Sequence, residues 1–106
     1  MIVVDTGPLV ALFDPKEPLH ASCRQTLSAF RQPLVTTLPV LTEAFHILAP
    51  ESRGSEALRG FVAEGGMSIH YGSHEETVRA FELMVTYRDH PMDLADASVI
   101  KIGRAS

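Results

Sequence analysis

Four carboxylates in three separated segments define the chemistry open to this chain. Asp5 closes the apolar run Met1-Ile2-Val3-Val4 and is followed at once by Thr6-Gly7-Pro8. Glu43 lies in Thr37-Leu38-Pro39-Val40-Leu41-Thr42-Glu43-Ala44, and Asp93 and Asp96 lie in Pro91-Met92-Asp93-Leu94-Ala95-Asp96-Ala97. The C-terminal end of a buried strand, where Asp5 falls, is where ligands bind in open α/β sheets. Separated carboxylates that converge make a hard-cation site, suited to Mg²⁺ or Mn²⁺, and such sites commonly act on phosphates. Asp93 and Asp96 stand at i and i+3, so on a helix they share a face. At a helix N-terminus the macrodipole favours their charge.

Each of these residues also has a purely structural use. Asp5 could cap the helix that follows it. Asp93 and Asp96 match an N-cap and its N3 partner. Glu43 falls in mid-helix, where an exposed glutamate is ordinary. Thr6 serves either as a cap or as a hydrogen-bond partner of Asp5. His20, His46, His70, His74 and His90 lack the H-x-x-x-H spacing of metal ligands and are expected at the surface or in packing. Tyr71 and Tyr87 form no stacking platform that the sequence identifies. The single Cys23 excludes an intramolecular disulfide and a cysteine zinc cluster. Its helical neighbours Leu19, Leu27 and Phe30 suggest a core thiol.

The elements that must position the carboxylates follow from periodicity and punctuation. Residues 2–5 are expected to form a fully buried strand, and residues 8–13 a first helical turn with Thr6 as cap and Pro8 near N1. Leu19, Cys23, Leu27 and Phe30 mark one face of a helix over 18–31, which Pro33 closes. Residues 34–37 give a second strand, and residues 38–49 a helix with Pro39 in its first turn. Residues 54–64 give a helix with Leu58, Phe61 and Val62 inward, stopped by Gly65-Gly66. Residues 67–71 alternate as a third strand. Ser73 and Glu76 form a capping box for a helix running to about Arg88, with Val78, Phe81, Met84 and Val85 inward. After Pro91 a final helix starts at Asp93 and runs toward Ile102. The order β-α-α-β-α-α-β-α-α predicts an α/β fold, a three-layer α/β/α sandwich on a small parallel sheet.

At 106 residues one domain, spanning 1–106, is expected. Hydrophobic content of 45% and charged content of 21% are ordinary for a globular chain. No apolar run approaches the roughly 18 residues of a membrane span, and no basic stretch precedes a signal core. A cytoplasmic protein is therefore expected, with no membrane partner. The net charge of −4 argues mildly against nucleic-acid binding, although bound divalent metal would offset part of it locally.

Ile2-Val3-Val4-Asp5-Thr6-Gly7-Pro8-Leu9-Val10-Ala11-Leu12, with His20 after it, resembles the first motif of PIN-domain ribonucleases of the VapC toxin type. Thr36–Ala44 resembles their second motif and Asp89–Ser98 their third, in order and in register over essentially the whole chain. The resemblance implies a PIN-like domain acting as a metal-dependent endoribonuclease, with Mg²⁺ or Mn²⁺ held by Asp5, Glu43 and Asp96 and with Asp93 as a neighbouring candidate. It further implies an RNA substrate and an antitoxin partner. One departure stands out. Family members usually continue into a further strand with a fourth acidic residue, whereas here the chain reaches Ile102-Gly103-Arg104-Ala105-Ser106 without them. A sheet lacking that C-terminal strand would leave residues 2–5 as an edge open to pairing, for which a homodimer is one solution.

Two other enzymes and one non-enzyme compete. Asp5-Thr6-Gly7 matches the triplet of aspartic proteases, but those are β-rich and this chain is helix-rich. A haloacid-type phosphatase needs an aspartate at position 7, which is Gly7. The remaining alternative is a PIN-like remnant that binds an antitoxin or RNA without cutting.

Overall fold

The structure, a computed structural model, describes residues 1–29, 31–86 and 93–99, and the backbone of 100–105. Three strands, β1 (Ile2–Val3), β2 (Leu34–Thr37) and β3 (Ser68–His70), form one parallel sheet in the order β1-β2-β3. Six helices connect and cover them: α1 (Thr6–Phe13), α2 (His20–Ala29), α3 (Leu38–Leu48), α4 (Arg53–Ala63), α5 (His74–Thr86) and α6 (Leu94–Ala105). The order is the expected one. Helix α1 packs on α2, α3 and α4, the arrangement expected when successive parallel crossovers share one hand and so one face. On the other face α6 contacts β1 and β2 and packs on α5, giving the three-layer sandwich. Among the described residues β1 has β2 as its only strand neighbour, so it is an edge as expected.

The main core joins Val4, Leu9, Val10, Val40, Leu41, Ala44, Leu48, Leu58, Met67 and Ala95, with Phe13, Phe45, Phe61 and Val62 packed against it. Leu9, Val40 and Leu58 are wholly inaccessible to solvent. Burying side chains of this size stabilises the fold by about 1.5–3 kcal/mol each. Helices α1 and α4 meet closely because position 54 is glycine: a Cβ there would stand 2.5 Å from the Phe13 carbonyl oxygen.

Several expectations are corrected. β1 is only two residues long and half-buried at Ile2 and Val3, not fully buried. Helix α1 begins at Thr6, with Asp5 as N-cap, so Thr6 is not the cap and Pro8 lies further inside the first turn. Helix α2 buries no residue: Leu19 is exposed, and Cys23 and Leu27 are half-buried beside grooves rather than in a core. In α5 the buried positions are Ala80 and Leu83, with Met84 partly covered, while Val78, Phe81 and Val85 are exposed. Ala80 and Ala97 are both small and buried, so α5 and α6 approach closely and set the rotation of α5. Helix α6 runs to Ala105, beyond the expected Ile102. Phe30, Tyr87, the end of α5 near Arg88, and Asp89-His90-Pro91-Met92 lie outside the described residues.

Candidate carboxylate site

Each carboxylate is placed by a strand end or a helix start. Asp5 leaves β1 in an extended conformation, and its Oδ1 accepts the Thr6 N–H at 2.7 Å. Thr37 ends β2 and caps α3, its Oγ1 accepting the Val40 N–H at 3.3 Å, with Pro39 in the first turn. Glu43 sits half-buried on that helix. Asp93 and Asp96 cap α6 reciprocally: Asp93 Oδ1 accepts the Asp96 N–H at 2.9 Å, and Asp96 Oδ2 accepts the Asp93 N–H at 3.4 Å. The capping use foreseen for Asp5, Asp93 and Asp96 is therefore real. It engages one oxygen of each carboxylate.

The four carboxylates form one electrostatic group. Burial pushes the Glu43 carboxyl above the usual carboxylate range, and the charges of Asp93, Asp96 and Asp5 and a side-chain hydrogen bond with Asp93 push it the same way. Loss of part of its hydration also raises Asp96; the Asp93 N–H opposes this, and the charges of Asp93 and Asp5 reinforce it. The four residues singled out from the sequence are thus near enough for their charges to act on one another, but among the described residues no three His, Cys, Asp or Glu side chains group as a metal-ligand set.

The donor chemistry fits a hard divalent cation. All donors are oxygen, their charges repel one another, and the only ion pair among the described residues lies elsewhere, between His70 and Glu76. Mg²⁺ needs few carboxylates because it keeps several waters. Thr6 adds a further signal: its Oγ1 is buried without any hydrogen-bond partner, the only such side-chain atom among the described residues. An unsatisfied buried hydroxyl costs about 1–3 kcal/mol. Thr6→Val, similar in volume, is expected to keep or raise the melting temperature and to lower activity. Unchanged activity in the variant would show that the hydroxyl has no partner in the working site.

Sequence reasoning missed the bond that joins the two halves of the site. Thr37 Oγ1 lies 2.8 Å from Ser98 Oγ, and Ser98 Oγ donates to the Ala95 carbonyl at 2.7 Å. This ties the helix bearing Glu43 to the helix bearing Asp96. Two hydroxyls 61 residues apart carry no local pattern that could reveal the contact. His20, placed near the first motif, holds α2 to α1 through Nδ1 and the Ala11 carbonyl at 2.8 Å.

This topology is that of the PIN-like α/β fold: a small parallel sheet with paired helices after each strand. A solved structure with the same fold is VapC20 of Mycobacterium tuberculosis, a toxin that cleaves the sarcin–ricin loop. It matches with a TM-score of 0.89 and 19% identity, covering 99% of this chain and 82% of that one. At that identity the likeness establishes the fold. No family model and no curated protein matches the sequence. No helix among the described residues is long and apolar enough to cross a membrane.

Proposed function

We propose that this chain is a metal-dependent endoribonuclease that hydrolyses RNA phosphodiester bonds, and that it is the toxin of a toxin–antitoxin pair acting in the cytoplasm. The observation that supports the reading is the mutual electrostatic influence of Asp5, Glu43, Asp93 and Asp96 within a fold shared with a toxin ribonuclease. These four residues would hold Mg²⁺ or Mn²⁺. Bound there, the cation would acidify water and offset charge on the phosphoryl oxygens. The chain's own residues supply orientation. The Thr6 N–H fixes Asp5, and the reciprocal cap fixes Asp93 and Asp96. Glu43, on α3, would complete the oxygen donor set for the cation.

The partners follow from the same reading. A groove of about 670 Å³ beside α2 and α4 is lined by Phe13, Leu27 and Phe61 and edged by Arg24 and Arg53. It suits an apolar antitoxin segment carrying acidic residues. The exposed Val78, Phe81 and Val85 of α5 offer an apolar face to a second copy, in support of a homodimer. The openness of the carboxylate cluster favours a second reading, a PIN-like protein that binds antitoxin or RNA without cutting.

Cleavage of a structured RNA pool that includes a sarcin–ricin loop separates the two readings. Cleavage should require Mg²⁺ or Mn²⁺, stop in EDTA, and fall by at least about 100-fold in Asp5→Asn. No cleavage by folded protein supplied with either metal would remove the ribonuclease reading and leave the binding-only one.

A further inference from the structure

A second feature lies along the same strand edge. The register sets Val3 beside Val35 and Thr37 beside His70. Two residues on from Val3 and Val35, Asp5 stands level with Thr37. With strands about 4.8 Å apart, His70 lies roughly 10 Å from Asp5 across the edge. There a pocket of about 80 Å³ is lined by Thr37, Pro39, His70, Tyr71, Leu94 and Ser98, among others. Thr37 and Ser98, the hydroxyl pair that joins the two halves of the carboxylate site, also form part of this pocket.

Thr37 and Ser98 are already used by the fold, whereas Tyr71 and part of the His70 ring are left for another partner. Tyr71 is 72% exposed. His70 is part-exposed, yet its ring is held, with Nε2 2.7 Å from Glu76 Oε2. Glu76 is itself placed by its N–H donating to Ser73 Oγ at 3.1 Å. Gly72, at φ +76°, makes the turn that brings β3 and α5 together here. The other nitrogen of the His70 ring has no hydrogen-bond partner among the described residues.

The surroundings select the kind of ligand. Glu75 and Glu76 in the first turn of α5, with the carboxylates nearby, oppose a phosphate at this point. The pocket offers instead an aromatic side chain, an oriented ring nitrogen and the apolar surfaces of Pro39 and Leu94. A flat ring with polar edges satisfies that set, and proteins recognise unpaired bases of single-stranded RNA through such stacking and edge contacts. The volume admits the edge of a base, leaving its face to Tyr71.

We propose that this pocket receives the base of an unpaired ribonucleotide flanking the phosphate bound at the carboxylates, with Tyr71 stacking on the base and His70, oriented by Glu76, contacting its edge. The inference rests on the ribonuclease reading for the position of the phosphate. Its test does not depend on cleavage. Labelled single-stranded oligoribonucleotides are titrated against the full chain in EDTA by fluorescence anisotropy, with steady-state cleavage measured separately in Mn²⁺. Tyr71→Ala should weaken binding roughly 10-fold and raise KM to match, with kcat within about 2-fold, and Tyr71→Phe should restore both. Oligonucleotides that do not bind the wild-type chain, or that bind Tyr71→Ala equally well, overturn the proposal. Wild-type kinetics in an actively cleaving Tyr71→Ala protein overturn it while leaving the ribonuclease reading intact. Tyr71-dependent binding in a wild-type protein that cuts nothing supports the pocket and removes the ribonuclease reading.

Discussion

Glu43→Gln is expected to abolish divalent-dependent RNA cleavage, by at least about 100-fold, while making the metal-free protein more stable at neutral pH. The two effects share one cause. Burial and the charges of Asp93, Asp96 and Asp5 penalise the ionised carboxylate, so its affinity for a proton is higher in the folded chain. A group whose folded pKa is raised binds more protons in the native than in the unfolded state between the two values, so stability increases as pH falls through that window. Above the raised value, the folded state carries the full penalty of the charge. Gln removes the charge with little change in shape, so its stabilising effect is largest at neutral pH. The effect vanishes below the ordinary glutamate range, where Glu43 is protonated in both states. Asp96 is shifted the same way and adds to the same trend.

Divalent metal should reverse the ranking. Binding to the native state alone stabilises it by mass action. The wild type should therefore gain more from saturating Mn²⁺ than Glu43→Gln does. Melting temperatures across pH 4–8, with EDTA and with Mn²⁺, check the whole scheme. A Glu43→Gln protein less stable than wild type in EDTA at pH 7, or equal gains on adding metal, would refute the charge-cluster account.

Leu9→Ala should act only through the fold, and strongly. Leu9 is wholly buried, and its N–H donates to the Asp5 carbonyl at 3.1 Å in the first turn of α1. Truncating a buried leucine costs about 2–5 kcal/mol. In a domain of this size that lowers the melting temperature by on the order of 10–20 °C. Activity per folded molecule, assayed well below the new midpoint, should stay close to wild type. A proportionate loss of kcat at a temperature where the variant is fully folded would mean that packing beneath α1 tunes the position of Asp5 directly.

The elements were legible because their punctuation is strong. Pro33, Pro39 and Gly65-Gly66 bound their segments, and the Ser73–Glu76 box marked the start of α5. Rotation of the helices was less legible. In α5, apolar residues at 78, 80, 81, 83, 84 and 85 nearly encircle the axis, so pattern alone could not choose between two stripes. The small Ala80 won because it lets α6 approach at Ala97. In α2, a regular apolar spacing did not mean burial, because no layer of the described fold covers that face. For the candidate site, residue types and local context pointed to four carboxylates whose charges act on one another in the structure. The Thr37–Ser98 and His70–Glu76 contacts depend on how distant elements dock or how a turn folds back, and neither leaves a trace in spacing.

The Thr37–Ser98 contact also bears on when the site comes into being. Asp5 and Glu43 belong to segments that can fold around β1 and β2 once the first half of the chain exists. Asp93 and Asp96 reach them only when α6 has docked, and that docking is latched by a hydroxyl pair 61 residues apart. A nascent chain is synthesised from the N-terminus, so for most of its synthesis it carries half a carboxylate centre. In order of synthesis α6 follows every strand of the sheet, so a chain stalled before α6 would carry Asp5 and Glu43 without Asp96.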